Sequence, residues 1–395
     1  MAGEKLFDDG PRSDSSPGRH TEKPFHFLNR RAGAFWDRVR NHLQTCYAAF
    51  PDEHKPGLVS RLRDEDERQH LPAWWELYVF TLFDRLGYAV KVHPDLTGNT
   101  GKNTRPDFLV AKGPFSMYVE AAFIFNADPT SDAWNWVCDC VNDAKNSDFM
   151  VDLEITAEGK QRPAKREIVE PLEAWLRTLD YDRALADQTA GRALPHWQLP
   201  ARDWVLSLTA GPVRPDRRGI PGRLIAIYPM IPANFTRDVE RLRNTLSKKG
   251  GKYGTLDQQL DRPLVVAIGC WNSIDEFELV NALFGSDALE ISWDGQSAPR
   301  RVRRRDGYWR PGAEPRGSRI SAVLFGDTMR AWTVASGLPP LWVNPWPFNP
   351  LGQPLPFASV NVGDSGNLVR TEASTTAAEL FGLSPEWPNE SALNS

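Results

Sequence analysis

The most restrictive stretch of this sequence is residues 72–125, where a helical apolar period gives way to three runs of β-forming residues. Pro72 suits a first helical turn and Gly87 a helix stop, so AWWELYVFTLFDRLG reads as one helix. Trp75, Tyr78, Val79, Leu82 and Leu86 form an apolar stripe along it, and Glu76 falls in line with Val79, Phe80 and Phe83. A carboxylate is thereby aimed into apolar company. The runs at 88–93 (YAVKVH), 107–111 (DFLVA) and 116–125 (SMYVEAAFIF) follow, each bounded by Gly, Pro or Asn. Their short links suit an antiparallel meander.

The rest of the chain continues to interleave the two periods. An amphipathic helix is expected over 35–50, on Phe35, Trp36, Val39 and Tyr47, and a solvated connector over 61–69. Beyond the meander the patterns predict helices at 132–145, 164–179, 237–249 and 274–284, and strands at 148–156, 204–208, 224–229, 264–268 and 320–325. That alternation predicts an α/β or α+β fold. At 395 residues and 41% hydrophobic the chain can bury a large core, which excludes a small disulfide-stapled scaffold. The four cysteines have no framework spacing, no charged-then-apolar leader opens the chain, and no run approaches the ~20 apolar residues of a membrane span. A reduced, cytoplasmic protein with no membrane partner is the expectation. Composition further predicts a mobile tail at 1–30, a helical region at 31–71, a core at 72–160, an α/β substrate-binding or regulatory portion at 161–362, and an acidic flexible tail at 363–395.

Several short motifs fail on context. GNTGKNT at 98–104 lacks the glycine and hydroxyl positions of a phosphate loop and leads into a strand rather than a helix. GDSG at 363–366 has no accompanying base. Cys138 and Cys140 lie two apart on a helix and point in different directions, a poor metal pair. The histidines have no ligand spacing, with His93 alone close to the meander.

Three acidic residues survive that sieve. Glu76 lies in the helix, Asp107 follows Arg105 and Pro106 at the start of the second strand, and Glu120 stands midway along the third. Alternation puts Tyr118, Glu120 and Ala122 on one face, so a charge sits within an apolar run and needs compensation. A hard divalent cation, Mg²⁺ or Mn²⁺, held by Asp107 and Glu120 would supply it. The bland alternatives are a helix pairing role for Glu76, a turn role for Asp107, and a buried pair of Glu120 with Arg105.

A helix with Glu, a strand, "PD" at the next strand and "E" thirteen residues on resembles the PD-(D/E)xK nuclease superfamily, the restriction-endonuclease-like fold. The resemblance implies an αβββαβ core, completed here by the helix at 132–145 and the strand at 148–156. It implies metal held by Asp107 and Glu120, Glu76 as the accessory acid, and metal-activated water attacking a phosphodiester, with DNA as the expected partner. The lysine expected two residues after the Glu is replaced by Ala122, and Lys91, Lys145 and Lys252 are the candidates to stand in for it. Without a replacement, the same resemblance implies an inactive nucleic-acid-binding or scaffold protein.

Charge is unevenly placed. The net charge is −4, yet residues 212–252 carry ten Lys/Arg against three Asp/Glu, and residues 295–320 eight against two. The second segment holds Arg300, Arg301, Arg303, Arg304 and Arg305 beside Tyr308 and Trp309, a combination that can grip phosphates and stack on bases. Near-neutrality is therefore a sum of opposed regions and does not exclude a nucleic-acid partner.

Overall fold

The computed structural model describes residues 5–96, 105–125, 132–227, 235–253, 260–290, 300–313, 315–362 and 367–389, the side chains of Ile227, 235–237, Arg300 and Arg301 excepted. It is a mixed α/β protein whose chain divides into two units, one from residues 1–16, 23–126 and 234–395, the other from 17–22 and 127–233. The chain thus leaves the first unit after the meander and returns more than a hundred residues later. In order, the first unit opens with α1 (Pro24–Arg30), α2 (Ala34–Ala49), α3 (Lys55–Leu62), α4 (Glu67–Arg85), β1 (Ala89–Val92), β2 (Phe108–Lys112) and β3 (Phe115–Ile124). The second unit holds α5 (Asp132–Asp143), β4 (Phe149–Ala157), α6 (Lys165–Arg177), α7 (Tyr181–Thr189), β5 (His196–Ala201), β6 (Trp204–Pro212) and β7 (Ile225–Ile227). The first then resumes with α8 (Phe235–Gly251), β8 (Leu264–Cys270), α9 (Glu276–Phe284), β9 (Asp287–Glu290), β10 (Arg300–Arg303), β11 (Ala322–Gly326), β12 (Leu341–Val343), β13 (Ser359–Val362), β14 (Leu368–Thr371) and α10 (Ala377–Phe381).

The large sheet of the first unit runs β1-β2-β3-β8-β11-β12-β13-β14. β1, β2 and β3 form the expected antiparallel meander. β3 then pairs in parallel with β8, and β8 with β11. A parallel neighbour requires a crossover, and the helix preceding β8 is α8. The helix and strand expected to complete the core, at 132–145 and 148–156, belong instead to the second unit as α5 and β4, where β4 pairs with β6 and β7. The proposed boundary between residues 160 and 161 consequently falls inside the second unit.

Strand alternation sends Met117 and Val119 into one apolar cluster, which contains α4, and Tyr118 and Ile124 into another, which contains α8 and α9. The two helical layers therefore cover opposite faces of β3. α4 begins earlier than Pro72, because the Asp66 carboxylate accepts the Arg68 backbone N–H and caps the helix; Pro72 lies inside it. Trp75, fully buried, donates its indole N–H to the Ala267 carbonyl at 3.0 Å. That approach needs Gly269 and Gly326, where a Cβ would meet the indole at 2.8 and 2.5 Å.

At both ends the described residues are packed where composition suggested tails. Leu6 and Phe7 are buried, and Phe7 stacks on Phe25 with ring centroids 5.6 Å apart. At the other end β14 pairs with β13, and α10, capped by Thr376, sets Phe381 against Tyr78 on α4. A few large aromatic side chains offset the ordering entropy of segments that are otherwise polar. All four cysteines are buried and free, Cys138 and Cys140 packing in the core of the second unit. No helix among the described residues is long and apolar enough to cross a membrane.

Candidate functional site

The meander itself brings two carboxylates together. β2 and β3 pair with Phe108 opposite Val119, so Asp107, one residue outward, stands beside Glu120 across the hairpin. The thirteen-residue spacing is the register of that hairpin. Like charges placed opposite each other on a sheet repel, and Glu120 has no solvent exposure at all. Compensation comes from the helix on the same face. Lys249 Nζ lies 2.6 Å from Glu120 Oε2 and 3.4 Å from Asp107 Oδ2. Lys252 Nζ lies 2.7 Å from Glu120 Oε1 and also donates to the Arg105 carbonyl at 2.6 Å. The Tyr253 hydroxyl donates to the same Oε1. Asp107 Oδ2 additionally accepts the Ala121 backbone N–H at 2.7 Å.

Two carboxylates and two ammonium groups thus share a mostly enclosed site, with formal charges that cancel. Burial pulls the Lys249 pKa down, but the Asp107 and Glu120 charges beside it more than offset that and hold it above its ordinary value. Burial and the Glu120 carboxylate both push the Tyr253 phenol well above its usual range, so it is a hydrogen-bond donor and not an acid. Among the described residues the hydrogen bonds to Asp107 fall on Oδ2.

Glu76 does not join this cluster. Its carboxylate pairs with Arg61 of α3 at 2.7 Å, and α4 covers the face of β3 opposite to Glu120. The alternative partner for Glu120 is also ruled out, because Arg105 pairs with Asp95 at 2.8 Å. Of the three lysines singled out for the Ala122 position, Lys252 reaches Glu120; Lys91 is exposed on β1 and Lys145 lies in the second unit. Lys249 and Tyr253 escaped the sequence reading. Their signal was the spacing of Lys249 and Lys252, three apart at the end of an amphipathic helix and so on one face. His93, the histidine near the meander, packs edge-on against His54.

The two basic segments fare differently. Residues 212–252 are split between the units, and Arg214 and Arg218 pair with Asp216 and Asp148 in the second. In the first unit Arg303, Arg304 and Arg305 are exposed, whereas Trp309 is fully buried against Phe284 and cannot stack on a base. The GNTGKNT and GDSG motifs lie outside the described residues, and so do the side chains of Arg300 and Arg301. Comparison of the chain with protein-family models, curated proteins and solved structures returned no match.

Proposed function

We propose that the protein is a divalent-metal-dependent nuclease of PD-(D/E)xK type acting on nucleic acid, with Lys249 in the role left vacant at Ala122. The single observation that carries this reading is Lys249 Nζ reaching both Asp107 and Glu120 from the crossover helix. The order helix, three-stranded meander, helix, parallel strand supports the restriction-endonuclease-like core, with α4, β1 to β3, α8 and β8 as its members and residues 127–233 as an insertion.

Carboxylate oxygens are the donors that Mg²⁺ and Mn²⁺ prefer, and those of Asp107 and Glu120 adjoin; among the described residues the hydrogen bonds to Asp107 fall on Oδ2 and leave Oδ1 as the atom that would meet such an ion. Such an ion would lower the pKa of a water and polarise a phosphoryl oxygen. Lys249, held as an ammonium, would set positive charge against phosphate oxygens as charge grows on them in the transition state. Lys252 would do the same from the next turn, and Tyr253 would keep the Glu120 carboxylate oriented. The test is cleavage of single- and double-stranded DNA and RNA with Mg²⁺ or Mn²⁺. Asp107→Ala and Glu120→Ala should abolish it, and Lys249→Ala should lower it by about 10²–10³. Unchanged activity in both carboxylate variants would sink the assignment.

One observation favours a second reading. Both oxygens of Glu120 already accept from Lys249, Lys252 and Tyr253. A carboxylate so saturated is what a nuclease-like binding or scaffold protein without catalysis would carry. Metal-independent, salt-sensitive nucleic-acid binding with no cleavage under any divalent ion would select it.

A further inference from the structure

Two cavities on the α8 and α9 side of the sheet share a lining residue, and the first borders the helix end that carries Lys249 and Lys252. The first, of about 860 Å³, is bordered by Gly250 and Gly251, the residues between Lys249 and Lys252, and by Tyr308, Arg316, Arg319 and Phe348. The second, of about 520 Å³, is lined by Arg303, Arg304, Arg305 and Arg310, with Asp287 as an acidic member. Trp346 lines both. Tyr308 and Trp346 pack on the same apolar cluster as Tyr253, which places the cavities on the face that carries Glu120.

Arg304 and Arg305 are exposed and make no ion pair among the described residues, and the buried Arg310 Nε has no hydrogen-bond partner there. Phe348 is 67% exposed, a large apolar ring that folding leaves in water. Its backbone N–H is bonded to the Ser318 carbonyl at 2.6 Å, so the ring is presented from a fixed main chain. Arginines that find no carboxylate need an anion, and exposed aromatic faces need a flat apolar partner. A nucleic-acid strand offers both in every nucleotide. Each cavity falls within the ~300–1,000 Å³ typical of small-ligand sites. A duplex, with its bases stacked inward, would lay phosphates across the rims and leave the cavities unfilled. Unstacked bases can enter them.

We infer that these two cavities form a track for single-stranded nucleic acid, with bases stacked on Phe348, Tyr308 and Trp346 and phosphates on the arginines, leading toward Lys249 and Lys252. As a statement about substrate this rests on the nuclease reading, but binding tests it independently of cleavage. Fluorescence anisotropy of a labelled oligo-dT of about fifteen nucleotides with the full chain in EDTA should show tighter binding than a duplex of equal length, by about tenfold or more. For about four phosphate contacts, affinity should fall roughly 50-fold between 50 and 200 mM salt. Phe348→Ala, at an exposed position, should weaken binding by about fivefold or more. The double variant Arg304→Glu with Arg305→Glu should weaken it further and flatten the salt dependence. Duplex bound as tightly as single strand, or both variants binding like wild type, would overturn the proposal. Single-strand binding with these sensitivities but no cleavage under Mg²⁺ or Mn²⁺ would leave the track standing and remove only the nuclease.

Discussion

Replacing Lys249 with methionine deletes the one cation that touches both carboxylates while keeping most of the side chain's length. Removing one partner of a buried ion pair costs about 3–5 kcal/mol. Here Glu120 is fully buried, but it keeps Lys252 at 2.7 Å and the Tyr253 hydroxyl, Asp107 is a distant 3.4 Å away, and Lys249 is itself 22% exposed. The expected cost is therefore nearer about 2 kcal/mol, or a fall of roughly 3 °C in Tm for a unit of this size. Glu120→Gln should cost a similar amount, by leaving two ammonium groups with Asp107 alone. The informative experiment is the double-mutant cycle, read by urea unfolding followed through tryptophan fluorescence. If Lys249 compensates Glu120, the double variant is less destabilised than the two singles together, with a coupling of about 1–2 kcal/mol. Additivity within about 0.5 kcal/mol would refute the reasoning. The pH arm has a defined sign. Because the folded pKa of Lys249 is raised, its contribution is complete below the ordinary lysine value of about 10.4 and is lost only as pH climbs through the raised one. Its own titration should add no slope near neutrality.

Two further outcomes follow from the same structure. Glu76→Gln should cost about 1 kcal/mol in thermal unfolding through the Arg61 pair, whose arginine is 37% exposed, and should leave any cleavage unchanged; an activity loss beyond about tenfold would return Glu76 to the chemistry. His42 sits edge-on to Phe381 and Trp387, and burial, reinforced by Arg85, pushes it down to about 4. The unfolded chain takes up that proton first, so stability should fall as pH drops from about 6.5 toward 4, by up to roughly 3 kcal/mol. His42→Phe should remove that part of the slope in a Tm-against-pH series, and identical slopes would count against the assignment.

What was legible in the sequence was local. The α4 stripe, the meander and the pairing of Asp107 with Glu120 could be read directly, because an antiparallel hairpin closes over a few residues and alternation then fixes which side chains share a face. The polar termini misled, since composition averages out the few aromatic residues that anchor them. The compensating charge could not be read, because Lys249, Lys252 and Tyr253 lie 129, 132 and 133 residues from Glu120 in the chain. They arrive there only because β3 takes β8 as its parallel neighbour and α8 makes the crossover, with the whole second unit inserted between. By itself the sequence singled out Asp107 and Glu120 on the meander and showed that Glu120, within an apolar run, would need compensation. Which cations answer it was decided by tertiary structure, since a charge leaving water requires a partner in space and sets no limit on how far along the chain that partner lies.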